Sequence, residues 1–250
     1  TWVRKGAAND WAPKFDEQPA SPQESGMLAE LRYGTEADWK KHFDYLLPFF
    51  RDERYIKLDG KPMFAFFQPN NDFPLQQKMV AYWEKLAVEA GLSGLICLSK
   101  DNAHNKRFAY QMRYSPFSPN NFWGGVKNKL SHLWTKHRQK IRFADYDAQW
   151  RSILVDARHA DARTFLSGFV SFDDTPRRGE RARIIRGDSP EKFEHYLREL
   201  LTISREQGKE YAFVTAWNEW GEGAYLEPDE WHRYAWLEAV QQALTEANAD

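Results

Sequence analysis

The chain has 250 residues with 35 Lys and Arg against 36 Asp and Glu, a formal charge of −1 that supplies no global attraction for nucleic acid, so no nucleic-acid partner is expected. Its length suits one large domain over residues 1–250, its single Cys97 excludes a disulfide framework or a cysteine zinc cluster, and no apolar run approaches a membrane span, so no stable membrane insertion is expected. Residues 1–10 hold no signal-peptide pattern, so the expected location is cytoplasmic; the missing initiator Met leaves an upstream leader open.

In chain order, Thr35 with Asp38 three residues on is a capping-box signal. Trp39, Phe43, Leu46, Leu47 and Phe50 then follow at helical spacing, which predicts a helix over 36–50. After the turn residues Asp59, Gly60 and Pro62, the continuous apolar run from 63 to 67 reads as a strand buried on both faces. Leu75, Met79, Tyr82, Trp83, Leu86, Ala87 and Ala90 mark one face of a helix stopped by Gly91, and 95–98 is the next buried strand. A weak strand over 108–114 leads into a Pro- and Asn-rich loop over 115–121. Val126, Leu130, Leu133, Trp134 and Ile141 predict a basic amphipathic helix over about 127–142. Its Lys127, Lys129, Lys136, Arg138, Lys140 and Arg142 suit peripheral contact with anionic lipid or a lipid-linked glycan, although a solvated surface helix fits the balanced total charge better.

A helical segment over 148–157 and a strand over 165–172 come next, and 173–187, rich in Arg with two Gly, reads as an exposed loop. Ser189, Pro190 and Glu191 make a strong helix start that runs to Gly208; 211–216 is the last strand and 230–246 a closing helix. This alternation predicts an α/β fold with a parallel sheet covered by helices, and about five whole strands are countable, too few for a complete eight-strand barrel. No internal repeat is present.

The unusual chemistry follows the last strand, where Trp217, Asn218, Glu219, Trp220, Gly221, Glu222, Gly223, Ala224, Tyr225, Leu226 and Glu227 run together ahead of Pro228. In parallel α/β folds the carboxyl ends of strands carry the active site, and this segment occupies that place. The plainer alternative is a Gly-rich turn with packing Trp rings and solvated Glu residues. Paired carboxylates beside flat aromatic rings fit glycosidic chemistry, one carboxyl protonating a leaving oxygen while the other generates or stabilises the attacking group. Their sequence spacing alone does not set the carboxyl separation.

Four stretches jointly resemble the WbsX-like proteins, whose domain is related to glycoside hydrolase family 99. They are Trp39, Lys40, Lys41, His42 and Phe43 with the run from Tyr45 to Phe50; Asp52, Arg54, Tyr55, Ile56 and Lys57 with Asp59, Gly60, Lys61 and Pro62; Asp174, Thr175, Pro176, Arg177, Arg178 and Gly179; and the segment from Trp217 to Pro228. The resemblance implies a (β/α)8 TIM-type barrel acting on α-linked sugars of bacterial lipopolysaccharide O-antigen or related surface polysaccharides, with an oligosaccharide or polysaccharide partner. It places the catalytic glutamates of family 99 on Glu219 and Glu222. Glu219 would draw a proton from the sugar 2-hydroxyl, which attacks the anomeric carbon to give a 1,2-anhydro sugar, and Glu222 would protonate the leaving oxygen. Trp217, Asn218, Trp220, Tyr225 and Glu227 would surround the pair and bind substrate, and Asp174 and Arg177, at the end of the preceding strand, suit positioning a sugar or an anionic group such as a phosphate as well as they suit a solvated, charge-rich loop; neither cofactor nor metal is implied. The family often carries His where this chain has Gly221, and WbsX-like relatives usually have Trp and Asn where this chain has Phe172 and Asp174. Relatives also carry roughly a hundred residues ahead of the region matching Thr1 and Trp2, so the chain would hold strands four to eight and lack the first two and most of the third.

Two alternatives accompany this reading, a nucleotide-sugar-dependent glycosyltransferase and a catalytically silent glycan-binding module. Asp145 and Asp147 have the D-x-D spacing of a metal-holding transferase, but they fall at a helix start, where Asp is a good cap. The seven His form no ligand cluster. Tyr33, Tyr55, Gln68 and Trp123 suit a sugar site less well than core packing.

Overall fold

The computed structural model describes residues 33–66, 73–100, 108–116 and 141–249. Thr1 and Trp2, Gln68, Trp123, the loop beyond Pro116 and the basic segment up to Lys140 lie outside them. In chain order the elements are α1 (Glu36–Arg51), β1 (Lys57–Leu58), β2 (Lys61–Phe66), α2 (Phe73–Glu89), β3 (Ile96–Lys100), β4 (Tyr110–Met112), β5 (Arg142–Asp145), α3 (Tyr146–Arg158), β6 (Thr164–Phe169), β7 (Phe172–Asp173), α4 (Thr175–Arg178), β8 (Arg183–Arg186), α5 (Pro190–Glu206), β9 (Ala212–Thr215), β10 (Asn218–Glu219), β11 (Ala224–Tyr225) and α6 (Ala235–Ala249).

The main sheet runs β1-β2-β3-β4-β6-β9, with β2, β3, β4, β6 and β9 parallel and β1 folded back on β2 as an antiparallel edge. These five parallel strands match the five expected. Side chains alternate across them. Phe64, Phe66 and Cys97 turn toward α1 and α2, and Leu166 toward α3 and α5, whereas Met63, Ile96, Leu98 and Phe165 form a separate cluster on the opposite face. Helices therefore cover one face while the strands pack side chains among themselves on the other. This is the wall of a (β/α) barrel, and a doubly wound sheet would carry helices on both faces.

Local chemistry accounts for the helix starts. The Asp38 carboxylate accepts the backbone N–H of Thr35 at 2.8 Å, Asp145 caps α3 by accepting from Ala148 N at 2.8 Å, and Ser189 accepts from Lys192 N ahead of Pro190. Trp150 anchors the larger core. Fully buried, it lies stacked between Phe169 and Tyr196, with ring centroids at 5.4 and 5.6 Å. Gly168 on β6 leaves the space its ring occupies, since a Cβ there would overlap the indole.

Three expectations need correction. The segment 173–187 is not an exposed loop: it holds α4, a 3-10 turn and β8, and β8 pairs with β5 in parallel and with β7 antiparallel. Ile185 and Ala182 are buried there, an apolar pattern that the alternating Arg residues hide from a sequence reading. Arg142, expected to end a helix, begins β5. The closing helix starts at Ala235 instead of 230, because Arg233 adopts a left-handed φ of 52° and bridges back to Asp229, which closes 229–233 as a turn that a right-handed helix cannot include. Among the described residues no helix is long and apolar enough to cross a membrane.

Candidate active site

The parallel pairing of β6 with β9 builds the site. Leu166 lies opposite Ala212 and Phe169 opposite Thr215, and Val170 N extends the ladder to Thr215 O at 3.0 Å, so the two chains leave the sheet side by side at their carboxyl ends. From β6 the chain passes through β7 into α4, which carries Arg177; from β9 it enters the β10–β11 hairpin and the 3-10 turn Trp220–Glu222. Asn218 pairs with Tyr225 and Glu219 with Ala224. Gly223 fastens the two segments together. It adopts φ 57°, its carbonyl accepts the Ser171 hydroxyl, and a Cβ on it would press against the Asp173 backbone at 3.2 Å.

Arg177 reaches both glutamates. Its Nη1 lies 2.5 Å from Glu222 Oε1 and 3.6 Å from Glu219 Oε1, so the two carboxyls share one guanidinium nitrogen. Gly221 is part of this arrangement, because a Cβ there would meet Arg177 Cδ at 3.2 Å. A side chain at 221 would require the arginine to shift by a few tenths of an ångström.

The glutamates differ in surroundings. The Glu222 side chain is 22% exposed and that of Glu219 43%. Burial pushes the Glu222 carboxyl above the usual glutamate range. Arg177 and, less strongly, Arg178 oppose that, while the neighbouring Glu219 and Asp174 charges add to it. Replacing Arg177 with Met removes the largest opposing influence, so Glu222 should hold its proton to higher pH. The alkaline limb of a pH–rate profile should then move upward in the variant; a limb that stays in place or moves to lower pH contradicts this.

The remaining predicted residues fall into two groups. Trp217 and Trp220 are exposed, and the Trp217 carbonyl accepts the N–H groups of Leu226 and Glu227. Trp220 donates its indole N–H to Glu227 at 2.6 Å and stacks on Tyr225 with centroids 3.7 Å apart, and Asn218 is exposed on the same hairpin. Asp174 stands apart: it is 3% exposed, accepts Arg183 N at 2.5 Å and pairs with Arg178 at 2.8 Å, holding β8 against α4. Asp147 is occupied by Lys192 at 2.8 Å and by the Tyr196 hydroxyl at 3.0 Å. Tyr33 and Tyr55 pack against the α1–α2 core.

Sequence reasoning passed over Asp229. Burial raises its carboxyl, but the hydrogen bonds from the His232 backbone and ring and from the Tyr225 hydroxyl prevail and hold it down at about 2. The aspartate following Pro228 was the available turn signal, masked by the helical spacing of the residues after it.

The family model for glycosyltransferase WbsX matches residues 3–240. The WxcX proteins of two strains of Xanthomonas campestris pv. campestris, themselves uncharacterised, are 26% identical over 213 residues, covering 80% of this chain. The chain matches only 29% of those relatives' length. The GH99 endo-alpha-mannosidase structure from Bacteroides thetaiotaomicron aligns at 14% identity and a TM-score of 0.49, over 88% of this chain and 65% of that one. Its complex with bis-tris-propane aligns at 14% identity and a TM-score of 0.47, over 87% and 69%.

Proposed function

The chain belongs to the WbsX glycosyltransferase family, and from that premise we propose that it is a carbohydrate-active enzyme of polysaccharide biosynthesis that cleaves or transfers α-linked glycosyl units, with Glu219 and Glu222 as its acid–base pair. O-antigen or a related bacterial surface polysaccharide is the proposed substrate, and the cytoplasm the proposed location. The observation that carries the reading is the shared contact of both glutamates with Arg177 at the carboxyl ends of β6 and β9, one carboxyl more buried than the other.

The chemistry follows from that inequality. Glu222, whose burial favours the protonated form, donates to the leaving glycosidic oxygen. Glu219, the more exposed, takes the proton of the sugar 2-hydroxyl, which closes on the anomeric carbon as the glycosidic bond breaks. Water or a sugar hydroxyl then opens the 1,2-anhydro ring at the anomeric carbon, giving its proton to the Glu222 carboxylate while Glu219 returns its proton to the sugar 2-oxygen, which restores both glutamates. Two inversions at one carbon give net retention.

Two supports bear on the nucleotide-sugar alternative. The D-x-D carboxylates of Asp145 and Asp147 are committed to capping α3 and to Lys192. The glutamate pair can act on a glycosidic bond without a nucleotide donor. The test is turnover of α-linked oligosaccharides with and without added nucleotide sugars, with NMR identifying the first-formed anomer. The proposal expects donor-independent turnover, an α product, and none from a substrate lacking the 2-hydroxyl. Turnover only with a nucleotide donor, or of the 2-deoxy substrate, overturns it.

A further inference from the structure

The turn between β11 and α6 presents two aromatic rings that the fold does not use. Trp231 is 91% exposed and Tyr234 61%, and together with Trp220, Tyr225 and Pro228 they line an open groove of about 640 Å³. A tryptophan almost wholly in water contributes nothing to a core, and aromatic surface gathered along a groove marks a binding site.

The groove is also built to hold its shape. Asp229 accepts from Trp231 N at 2.8 Å, from His232 N at 2.5 Å and from the Tyr225 hydroxyl at 2.8 Å, while Arg233 N donates to the Asp229 carbonyl at 2.9 Å. Arg233 adopts φ 52°, a left-handed conformation that turns the chain back toward α6, and the His232 ring packs on Trp236 at 5.1 Å. The backbone carrying Trp231 is thus pinned from both ends, which lowers the ordering cost of binding.

The groove shares a hairpin with the glutamate pair. Trp220 lies in the same 3-10 turn as Glu222, and Tyr225 stacks on it from the strand paired with the one bearing Glu219, so both rings belong to the groove and to the hairpin of the pair.

We propose that the groove floored by Trp220 and Tyr225 and walled by Trp231 and Tyr234 is a second carbohydrate subsite, which stacks further sugar units of the same glycan whose scissile bond lies at Glu219 and Glu222. This rests on the proposed function and narrows it. The substrate is a chain, held by rings that grip pyranose faces through apolar contact with little demand on hydroxyl pattern. The polar wall is mixed, with Glu230 and Arg233 both bordering the groove, so it suits neutral sugars better than a uniformly anionic polymer.

The test uses ladders of α-linked manno- and rhamno-oligosaccharides, whose 2-hydroxyl lies trans to the leaving oxygen, from disaccharide upward, measured for binding by calorimetry and for turnover. The wild type is compared with Trp231→Ala, with the Trp231→Ala/Tyr234→Ala pair and with Trp231→Phe, which keeps a ring. The wild type should favour long over short chains, and that preference should fall about tenfold in the double variant and be largely kept by Trp231→Phe. An unchanged length preference in the double variant, with chains still bound and turned over, overturns the subsite and leaves the proposed function standing. No binding or turnover of any chain by the wild type overturns both, and a loss caused by self-association through the rings, read by light scattering, overturns the subsite alone.

Discussion

Replacing Glu222 with Gln should lower turnover by about a hundredfold to ten-thousandfold, the range that a positioned proton donor contributes. The amide cannot deliver a proton to a leaving oxygen. Glu219→Gln should cost a similar factor, because an amide does not draw a proton from the 2-hydroxyl. The two losses should differ in character. A substrate with a fluorinated, acidic leaving group needs little help in departing, so it should partly restore Glu222→Gln and not Glu219→Gln. Neither substitution should disturb the fold, since both side chains are partly exposed and their contact with Arg177 is a rim ion pair of modest worth. Matching unfolding temperatures would separate lost chemistry from lost structure. Wild-type rates in either variant would remove the pair from the mechanism.

The second large effect is on stability. Trp150→Ala should cost about 3–5 kcal/mol, the usual penalty for removing a buried aromatic ring, and so a large part of the roughly 5–15 kcal/mol that holds a domain together. The ring is fully buried, and the two residues stacked on it belong to β6 and α5, so its loss leaves a cavity between sheet and helices. Gly168→Ala attacks the same contact from the other side, since its Cβ has no place to go unless the indole moves. Urea unfolding measures both. If the Ala for Trp change costs less than about 1 kcal/mol, the stack is not the anchor of that core.

The parts of this structure that were legible in the sequence have a common cause. Helices α1, α3 and α5 announce themselves through local chemistry, a capping acid at Asp38 and caps at Asp145 and Ser189, and through apolar spacing that one element satisfies alone. The buried parallel strands show as short apolar runs because they are covered on both faces. What stayed hidden depends on partners distant in sequence. The strand β8 exists through its pairing with β5 and β7, and its Arg residues conceal the buried Ile185. The start of α6 is delayed by the turn that Asp229 and the left-handed Arg233 close between them.

The candidate site divides the same way. Its residue types were visible as a dense run after the last strand, and their neighbourhood could be inferred from the rule that parallel strands present function at their carboxyl ends. The clamp of Arg177 on two glutamates 42 and 45 positions away could not be read, because it comes from the side-by-side exit of β6 and β9. The role of Gly221 as the space for that arginine was equally out of reach. Asp174, expected among the substrate-binding residues, accepts from Arg183 N and pairs with Arg178.

The central claim is that the two glutamates are unequal, with Glu222 held as the acid. Carbon-13 NMR of glutamate-labelled protein, with the Glu222 carboxyl assigned by its loss in Glu222→Gln, follows that proton without any substrate. Glu222 should titrate above the ordinary glutamate value of about 4.3, and higher again when Arg177 is replaced by Met. A Glu222 carboxyl that titrates at or below the ordinary value, in the wild type and in the Arg177 variant alike, would contradict it.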